Sequence, residues 1–344
     1  MIELSPGKLW GMRRMADAGG FFKMTAVDQR PPIIGPIAKY HGTEEAPYDD
    51  VAGFKALLIE TLQTEASAML LDPHFAIPRG LHLLSPQKGL IVTLEDSFYE
   101  ETGDGRFSTQ IDHWSVAKIK RMGGDAVKVL AWYRPDAGNA ANEHQKDFVK
   151  RIGEACRRYD IPFLFELLVY PLAGDAHQTG EYIEMRGKKA DHVLRSVETF
   201  ADTAYGIDVF KLESPVNAET LAEDDAEAQA LFAEMGRLAG RPWVMLSAGA
   251  GKKAFRTVLS HAYRAGASGY LAGRAIWLDA FSHFPDWKKM QAGLENESAA
   301  YVHEINALTE AKARPWHRHP CYGAEGPGLR PADGTFRAHY KGFE

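Results

Sequence analysis

Eight short runs rich in aliphatic and aromatic residues, at 21–29, 68–73, 89–95, 125–133, 162–170, 209–216, 242–249 and 267–274, are separated by longer stretches of helical periodicity. The helical stretches include 50–63, 114–122, 143–159, 190–202, 226–239 and 254–265. Strand and helix in alternation build βαβ units on a parallel sheet. Eight parallel strands are the number that closes into a barrel. The boundaries agree: Met122-Gly123-Gly124-Asp125, Tyr159-Asp160-Ile161-Pro162, Ala239-Gly240-Arg241-Pro242 and Ala265-Gly266-Ala267 each set Gly or Pro between a helix and the next strand. Such residues end a helix and turn the chain. The expectation is an α/β chain folded as a single (β/α)8 TIM barrel over 21–290. Residues 1–20 form an N-terminal extension, and 291–344 a C-terminal helix with an irregular tail.

Charge and pattern exclude several classes. The 344 residues carry 40 Lys and Arg against 46 Asp and Glu, a net charge of −6. That leaves no basic field for nucleic acid or an anionic membrane. The most apolar window, 161–170, is ten residues long and holds Glu166, far short of the roughly 20 apolar residues of a membrane helix. No apolar stretch follows Lys8, Arg13 and Arg14 as a secretory signal requires. Cys156 and Cys321 make neither a disulfide framework nor a zinc-ribbon spacing. Of thirteen histidines only His317 and His319 lie close together, in the tail and far from the strands, so no metal site is expected. A cytoplasmic enzyme acting on a small molecule, assembled as a homo-oligomer, is the expected class.

Charged residues interrupt the apolar runs. The first three runs end Ala26-Val27-Asp28-Gln29-Arg30, Leu70-Leu71-Asp72-Pro73 and Thr93-Leu94-Glu95. Lys128 lies inside the fourth run, Glu166 inside the fifth, and Lys211 and Glu213 inside the sixth. Lysine and glutamate are almost never fully buried unless paired, so one reading makes them structural ion pairs. Their concentration on three successive strands favours chemistry, because the C-terminal ends of barrel strands carry catalysis. Period two puts Lys211 and Glu213 on one face. A buried amine beside another cation loses its proton more readily. Lys128 and Lys211, on either side of the fifth strand, thereby equip the site with an imine-forming lysine. Glu166, among Phe, Leu and Val, is expected to have its pKa raised by burial and to transfer protons.

The seventh and eighth runs end Leu246-Ser247-Ala248-Gly249-Ala250-Gly251 and Gly269-Tyr270-Leu271-Ala272-Gly273-Arg274. Loops at these two positions are the customary phosphate site of such barrels. The glycines let backbone N–H groups approach an oxyanion, Ser247 can donate, and Arg274 supplies charge.

Seven stretches now fall into a known pattern: Ala26-Val27-Asp28-Gln29-Arg30, Leu71-Asp72-Pro73, Gly124-Asp125-Ala126-Val127-Lys128, Phe165-Glu166-Leu167-Leu168, Phe210-Lys211-Leu212-Glu213-Ser214-Pro215-Val216-Asn217, Leu246-Ser247-Ala248-Gly249 and Gly273-Arg274-Ala275. In this order they resemble the class I tagatose-1,6-bisphosphate aldolases. The resemblance implies cleavage of a ketose 1,6-bisphosphate to dihydroxyacetone phosphate and glyceraldehyde 3-phosphate. It implies no metal and no cofactor, the covalent imine on Lys211 taking that part. Glu166 then matches the proton-transfer carboxylate, Lys128 the second active-site lysine, and Asp28 the acid near the substrate hydroxyls. Ser247, Gly249, Gly273 and Arg274 match the site for the dihydroxyacetone-side phosphate, with Gln29 and Arg30 also near the substrate.

A sister group, the sulfofructose 1-phosphate aldolases, which give dihydroxyacetone phosphate and sulfolactaldehyde, shares much of this pattern. The stretch Pro242-Trp243-Val244-Met245-Leu246-Ser247 is close to that group, whereas Glu213-Ser214-Pro215-Val216-Asn217 leans to the tagatose side. The Pro-rich loop Pro31-Pro32-Ile33-Ile34-Gly35-Pro36 and the long tail depart from both. With Arg30, they are the segments expected within reach of the substrate's far end. A third reading is a non-catalytic sugar-phosphate sensor. Against it, the amine, the acid and the phosphate groups are all present.

Overall fold

The computed structural model describes residues 2–172, 175, 190–329 and 332–342. Residue 1 of the extension, 173–174 and 176–189 of the barrel, and 330–331 and 343–344 of the tail lie outside them. Each expected run contains one strand: β1 (Phe22–Ala26), β2 (Ala68–Leu71), β3 (Gly89–Thr93), β4 (Ala126–Trp132), β5 (Phe163–Leu168), β6 (Val209–Leu212), β7 (Trp243–Met245) and β8 (Gly269–Ala272). All eight run parallel, and β8 closes the barrel on β1 from Gly269↔Phe22 to Ala272↔Thr25. Several strands are shorter than their runs because polar residues at the run's end, such as Asp28, Asp72, Glu95 and Glu213, lie beyond the ladder.

Alternation explains why the runs are continuously apolar. Phe22, Met24, Leu70, Ile91, Ala126, Leu164, Val209, Val244 and Leu271 point inward and form one cluster. Residues of opposite parity, among them Met69, Val92, Val127, Phe165, Phe210 and Tyr270, pack outward under the helices. Two residues beyond Ala126, Leu164 and Val209, the next inward positions are Lys128, Glu166 and Lys211.

The floor of the barrel, at the strand N-termini, is closed by both terminal segments. Helix Pro6–Met15 contributes Met12 and Met15 to the inward cluster, and the tail contributes Trp316 and Tyr322. A Cβ on Gly11 would fall 2.3 Å from the Asp125 carbonyl oxygen and 2.6 Å from the Pro162 ring, so this helix lies directly on the loops entering β4 and β5. Strands Glu3–Leu4 and Gly328–Leu329 pair in parallel. The Tyr340 hydroxyl donates to Asp160 at 2.7 Å. The tail, expected within reach of the mouth, runs instead to the opposite end. There the ring of Trp316 stacks 6.5 Å from that of Phe22 and covers apolar surface that water would otherwise meet.

The Pro-rich segment is likewise no loop. It opens helix Pro31–His41, because Pro31 and Pro32 occupy a first turn whose N–H groups have no intrahelical acceptor to lose. An antiparallel hairpin, Glu100–Thr102 with Gly105–Phe107, follows β3. Helix Ala299–Lys312 precedes the tail. Among the described residues no helix is long and apolar enough to cross a membrane.

Candidate active site

Above the apolar floor, carboxylates from the ends of β1, β3 and β5 converge on Lys128 of β4. Its Nζ lies 2.9 Å from Asp28 Oδ2, 2.5 Å from Glu95 Oε1 and 2.8 Å from Glu166 Oε2. Lys211 Nζ lies 2.9 Å from the same Glu166 oxygen, which therefore bridges two ammonium groups. The ladder dictates this meeting, since Glu166 stands directly opposite Lys211 and Thr93 opposite Lys128. None of the five charged side chains belongs to a residue more than 6% exposed. Thr93 Oγ1 donates to Asp28 Oδ2 at 3.1 Å. Glu213 plays a different part, accepting the Val169 N–H at 2.7 Å and tying β5 to β6.

The electrostatics correct one expectation. Burial pushes the Glu166 carboxyl up, but Lys128 and Lys211 outweigh it and the pKa is lowered. Two cations within 3 Å of one oxygen stabilise the carboxylate more than the lost water destabilises it. Asp28 behaves alike: burial raises it, Lys128 and Lys211 pull harder, and it rests well below the usual carboxylate range. Glu95 is the group that goes up. Burial dominates there over the pull of Lys128, and Asp28 adds repulsion. In the sequence Glu95 marks only the end of its run, yet the period-two step from Thr93 already aims it inward beside Lys128.

Gln29 and Arg30 line the same cavity as Asp28, Glu95, Lys128, Glu166 and Lys211, together with Ser97. Arg30 donates from Nη2 to the Glu95 carbonyl at 3.0 Å and approaches Asp96 to 3.9 Å. Its Nε and Nη1, with Gln29 Oε1 and Ser97 Oγ, are buried without a hydrogen-bond partner. Unmet polar atoms around one cavity are capacity for a polar ligand. A separate groove on the outer helices, lined by Ser115, His144, Phe148 and Arg151, carries none of these groups.

The remaining expected residues meet at the next two strand ends. Ala248 (φ 47) and Gly249 (φ 87) are successive left-handed residues after Ser247, and Gly251 then caps helix Lys252–Arg264. Gly273 caps helix Arg274–Phe281. A Cβ on Gly249 would sit 3.5 Å from the Arg274 guanidinium, so the two loops face each other. A Cβ on Gly273 would sit 2.7 Å from Gln29 Nε2 and 2.8 Å from the Ala26 carbonyl oxygen; only glycine allows β8 to end this close to β1. Two helix N-termini and a guanidinium make a receptive place for an anion. Among the described residues no three His, Cys, Asp or Glu side chains are grouped as a metal would need.

A closed parallel barrel with paired lysines and carboxylates inside its C-terminal rim defines an enzyme of the lysine-bearing barrel class. The chain belongs to the DeoC/LacD family of aldolases, whose description, DeoC/LacD family aldolase, matches residues 23–279. Its family chemistry is that of a carbon–carbon lyase. It is 33% identical over 334 residues to a protein of Listeria monocytogenes serotype 4b (strain CLIP80459) named tagatose 1,6-diphosphate aldolase, covering 92% of this chain and 95% of that one. It is 31% identical over 327 residues to tagatose 1,6-diphosphate aldolase 1 of Streptococcus mutans serotype c, covering 92% and 99%. Among solved structures, the fructose-bisphosphate aldolase of Plasmodium falciparum is similar with a TM-score of 0.63 at 12% identity, over 91% of this chain and 98% of that one. An archaeal fructose-1,6-bisphosphate aldolase, solved with its catalytic lysine bound to a carbinolamine, gives 0.55 at 16% identity, over 86% and 98%. These structures share the fold.

Proposed function

We propose that the protein is a class I aldolase in which Lys211 forms the imine, acting on a ketose 1,6-bisphosphate such as tagatose 1,6-bisphosphate. The observation that carries the reading is the single Glu166 oxygen 2.8 Å and 2.9 Å from the two lysines. An ionised carboxylate there can take a proton from Lys211, and the free amine then attacks C2 of the substrate. The carbinolamine loses water to give the protonated imine. Glu95, whose carboxyl holds its proton more readily, suits the donor for that step. Glu166 passes the proton it took from Lys211 back to the now ionised Glu95 and, again a carboxylate, accepts the proton of the C4 hydroxyl; the C3–C4 bond breaks, and its electrons move into the imine to leave an enamine. Glyceraldehyde 3-phosphate departs. Protonation at C3 and hydrolysis by one water release dihydroxyacetone phosphate and restore the amine. Asp28 and Lys128 hold the substrate hydroxyls, with Gln29 beside them.

In this reading Ser247, Gly249, Gly273 and Arg274 bind the phosphate of the dihydroxyacetone half, and Arg30 faces the far end. One observation favours a second reading, sulfofructose 1-phosphate. Arg30 is shared with Asp96 at 3.9 Å, and a lone guanidinium so placed suits a sulfonate of one charge as well as a phosphate of nearly two. Turnover of tagatose 1,6-bisphosphate, fructose 1,6-bisphosphate and sulfofructose 1-phosphate on one preparation decides. Cleavage of the bisphosphates supports the first reading; cleavage of the sulfonate alone promotes the second. Arg274→Ala is expected to weaken all ketose phosphates alike, whereas Arg30→Ala changes their ranking. A sensor would turn over none of them.

The imine withdraws electrons as a metal ion would otherwise do. Activity is therefore expected to survive exhaustive EDTA treatment, and recovery only on adding a divalent ion would reject the class I reading. A cytoplasmic homo-oligomer belongs to the same proposal; the free thiols of Cys156 and Cys321 suit a reducing compartment.

A further inference from the structure

A third buried lysine stands outside this chemistry. Lys55 lies on helix Tyr48–Leu62, whose inward stripe is otherwise the apolar Val51, Phe54, Leu58 and Leu62, and it is fully buried. Its Nζ pairs with the equally buried Asp72 and donates to the Val27 carbonyl at 2.8 Å. Asp72 spends its other oxygen on the N–H groups of His74 at 3.0 Å and Phe75 at 2.8 Å. The ladder between β1 and β2 ends at this point: the Val27 N–H reaches the Leu70 carbonyl at 2.9 Å, while the Val27 carbonyl is taken by the ammonium. The next residue is Asp28.

A buried ion pair is a poor means of gaining stability, since an apolar pair of like volume often serves as well or better. What an apolar side chain cannot do is hold the Val27 carbonyl from behind the barrel wall. We propose that Lys55 and Asp72 are a positioning pair for the aldolase reaction, fixing the end of β1 so that Asp28 shares Lys128 with Glu166, whose same oxygen serves Lys211. The proposal rests on the reading of Lys211 as the imine-forming residue. It describes a string of alternating charge, Asp72, Lys55, Asp28, Lys128, Glu166 and Lys211, running from outside the barrel to the reacting amine.

The string has an electrostatic signature. Asp28 is faced by Lys128 from β4, Lys211 from β6, Lys55 from the helix, Glu95 beyond β3 and Glu166 from β5, with Arg30 on its own segment. Burial raises Asp28, the two site lysines lower it most, and Lys55 lowers it further. Lys55 in turn is pushed down by burial, against the pull of Asp72 and Asp28 and with the repulsion of Arg30. Removing the Lys55 charge therefore raises the Asp28 pKa. Asp28 nevertheless remains below the usual carboxylate range, so what turnover reads is its position rather than its charge state.

Two variants test the pair. Lys55→Gln removes the charge and, one bond shorter, keeps an amide N–H that can still donate toward the Val27 carbonyl or Asp72; its kcat is expected to fall about threefold or more with KM within about twofold. Lys55→Met combined with Asp72→Asn removes both charges and the bond to Val27, while the asparagine can still accept from His74 and Phe75. Its kcat is expected to fall about tenfold or more with KM within about twofold, as for a catalytic group shifted slightly out of place. Substrate with borohydride is run on every protein. A trapped adduct in wild type and both variants establishes the imine chemistry, and wild-type kcat in both variants then overturns the positioning role. No adduct in wild type overturns the Lys211 reading instead. If the double variant does not fold, the kcat and KM of Lys55→Gln decide alone.

Discussion

Lys211→Ala is expected to lose essentially all turnover, by about 10⁴-fold or more as for the removal of other covalent nucleophiles, and to form no borohydride-stable adduct. In wild type the same treatment should inactivate the protein irreversibly and add a reduced triose-phosphate mass to the peptide holding Lys211. Lys211→Arg should fail equally, because a guanidinium stays protonated and cannot attack a carbonyl. Mass spectrometry of the trapped protein reads the result directly. An adduct on Lys128 with Lys211 unmodified would move the nucleophile two strands round the barrel while leaving the imine mechanism in place.

The second large effect belongs to Glu166→Gln. Glutamine keeps size and hydrogen bonding but cannot accept a proton, so kcat should fall by roughly 10² or more. Because Lys128 and Lys211 overcome burial and hold Glu166 below the usual glutamate range, the wild-type group stays a base into mildly acidic solution. Lys128 retains Asp28 and Glu95 as partners in the variant. Some imine should therefore remain trappable while cleavage is slow, a separation that single-turnover trapping and steady-state rates measure together. Near-normal turnover would reduce Glu166 to a structural partner of the two lysines.

Much of the site is legible in the residues alone because barrels translate strand position into height. Lys128, Glu166 and Lys211 each fall two residues past an inward apolar residue, so alternation and strand order suffice to bring them together with Asp28. The direction of the Glu166 shift does not follow, since burial and ion pairing oppose each other and only the distances decide between them. Lys55 is hidden for another reason: within the helix it occupies a core position, and nothing local marks the carbonyl it reaches across space. The tail carries no periodicity, and its destination becomes visible only in space, where Trp316 and Tyr322 join the apolar residues of the barrel floor. Pro31 and Pro32 suggest a loop, although proline in the first turn of a helix is equally consistent with the same letters.

The floor has a practical corollary. Strands Glu3–Leu4 and Gly328–Leu329 lie side by side beneath the barrel, on the face away from the cavity that holds Lys211. A tether, tag or fused carrier joined near either segment would hold the molecule by its underside and turn the cavity toward solution. Beads or sensor surfaces coated in this way should present a uniformly oriented layer, with substrate meeting every copy from the open side.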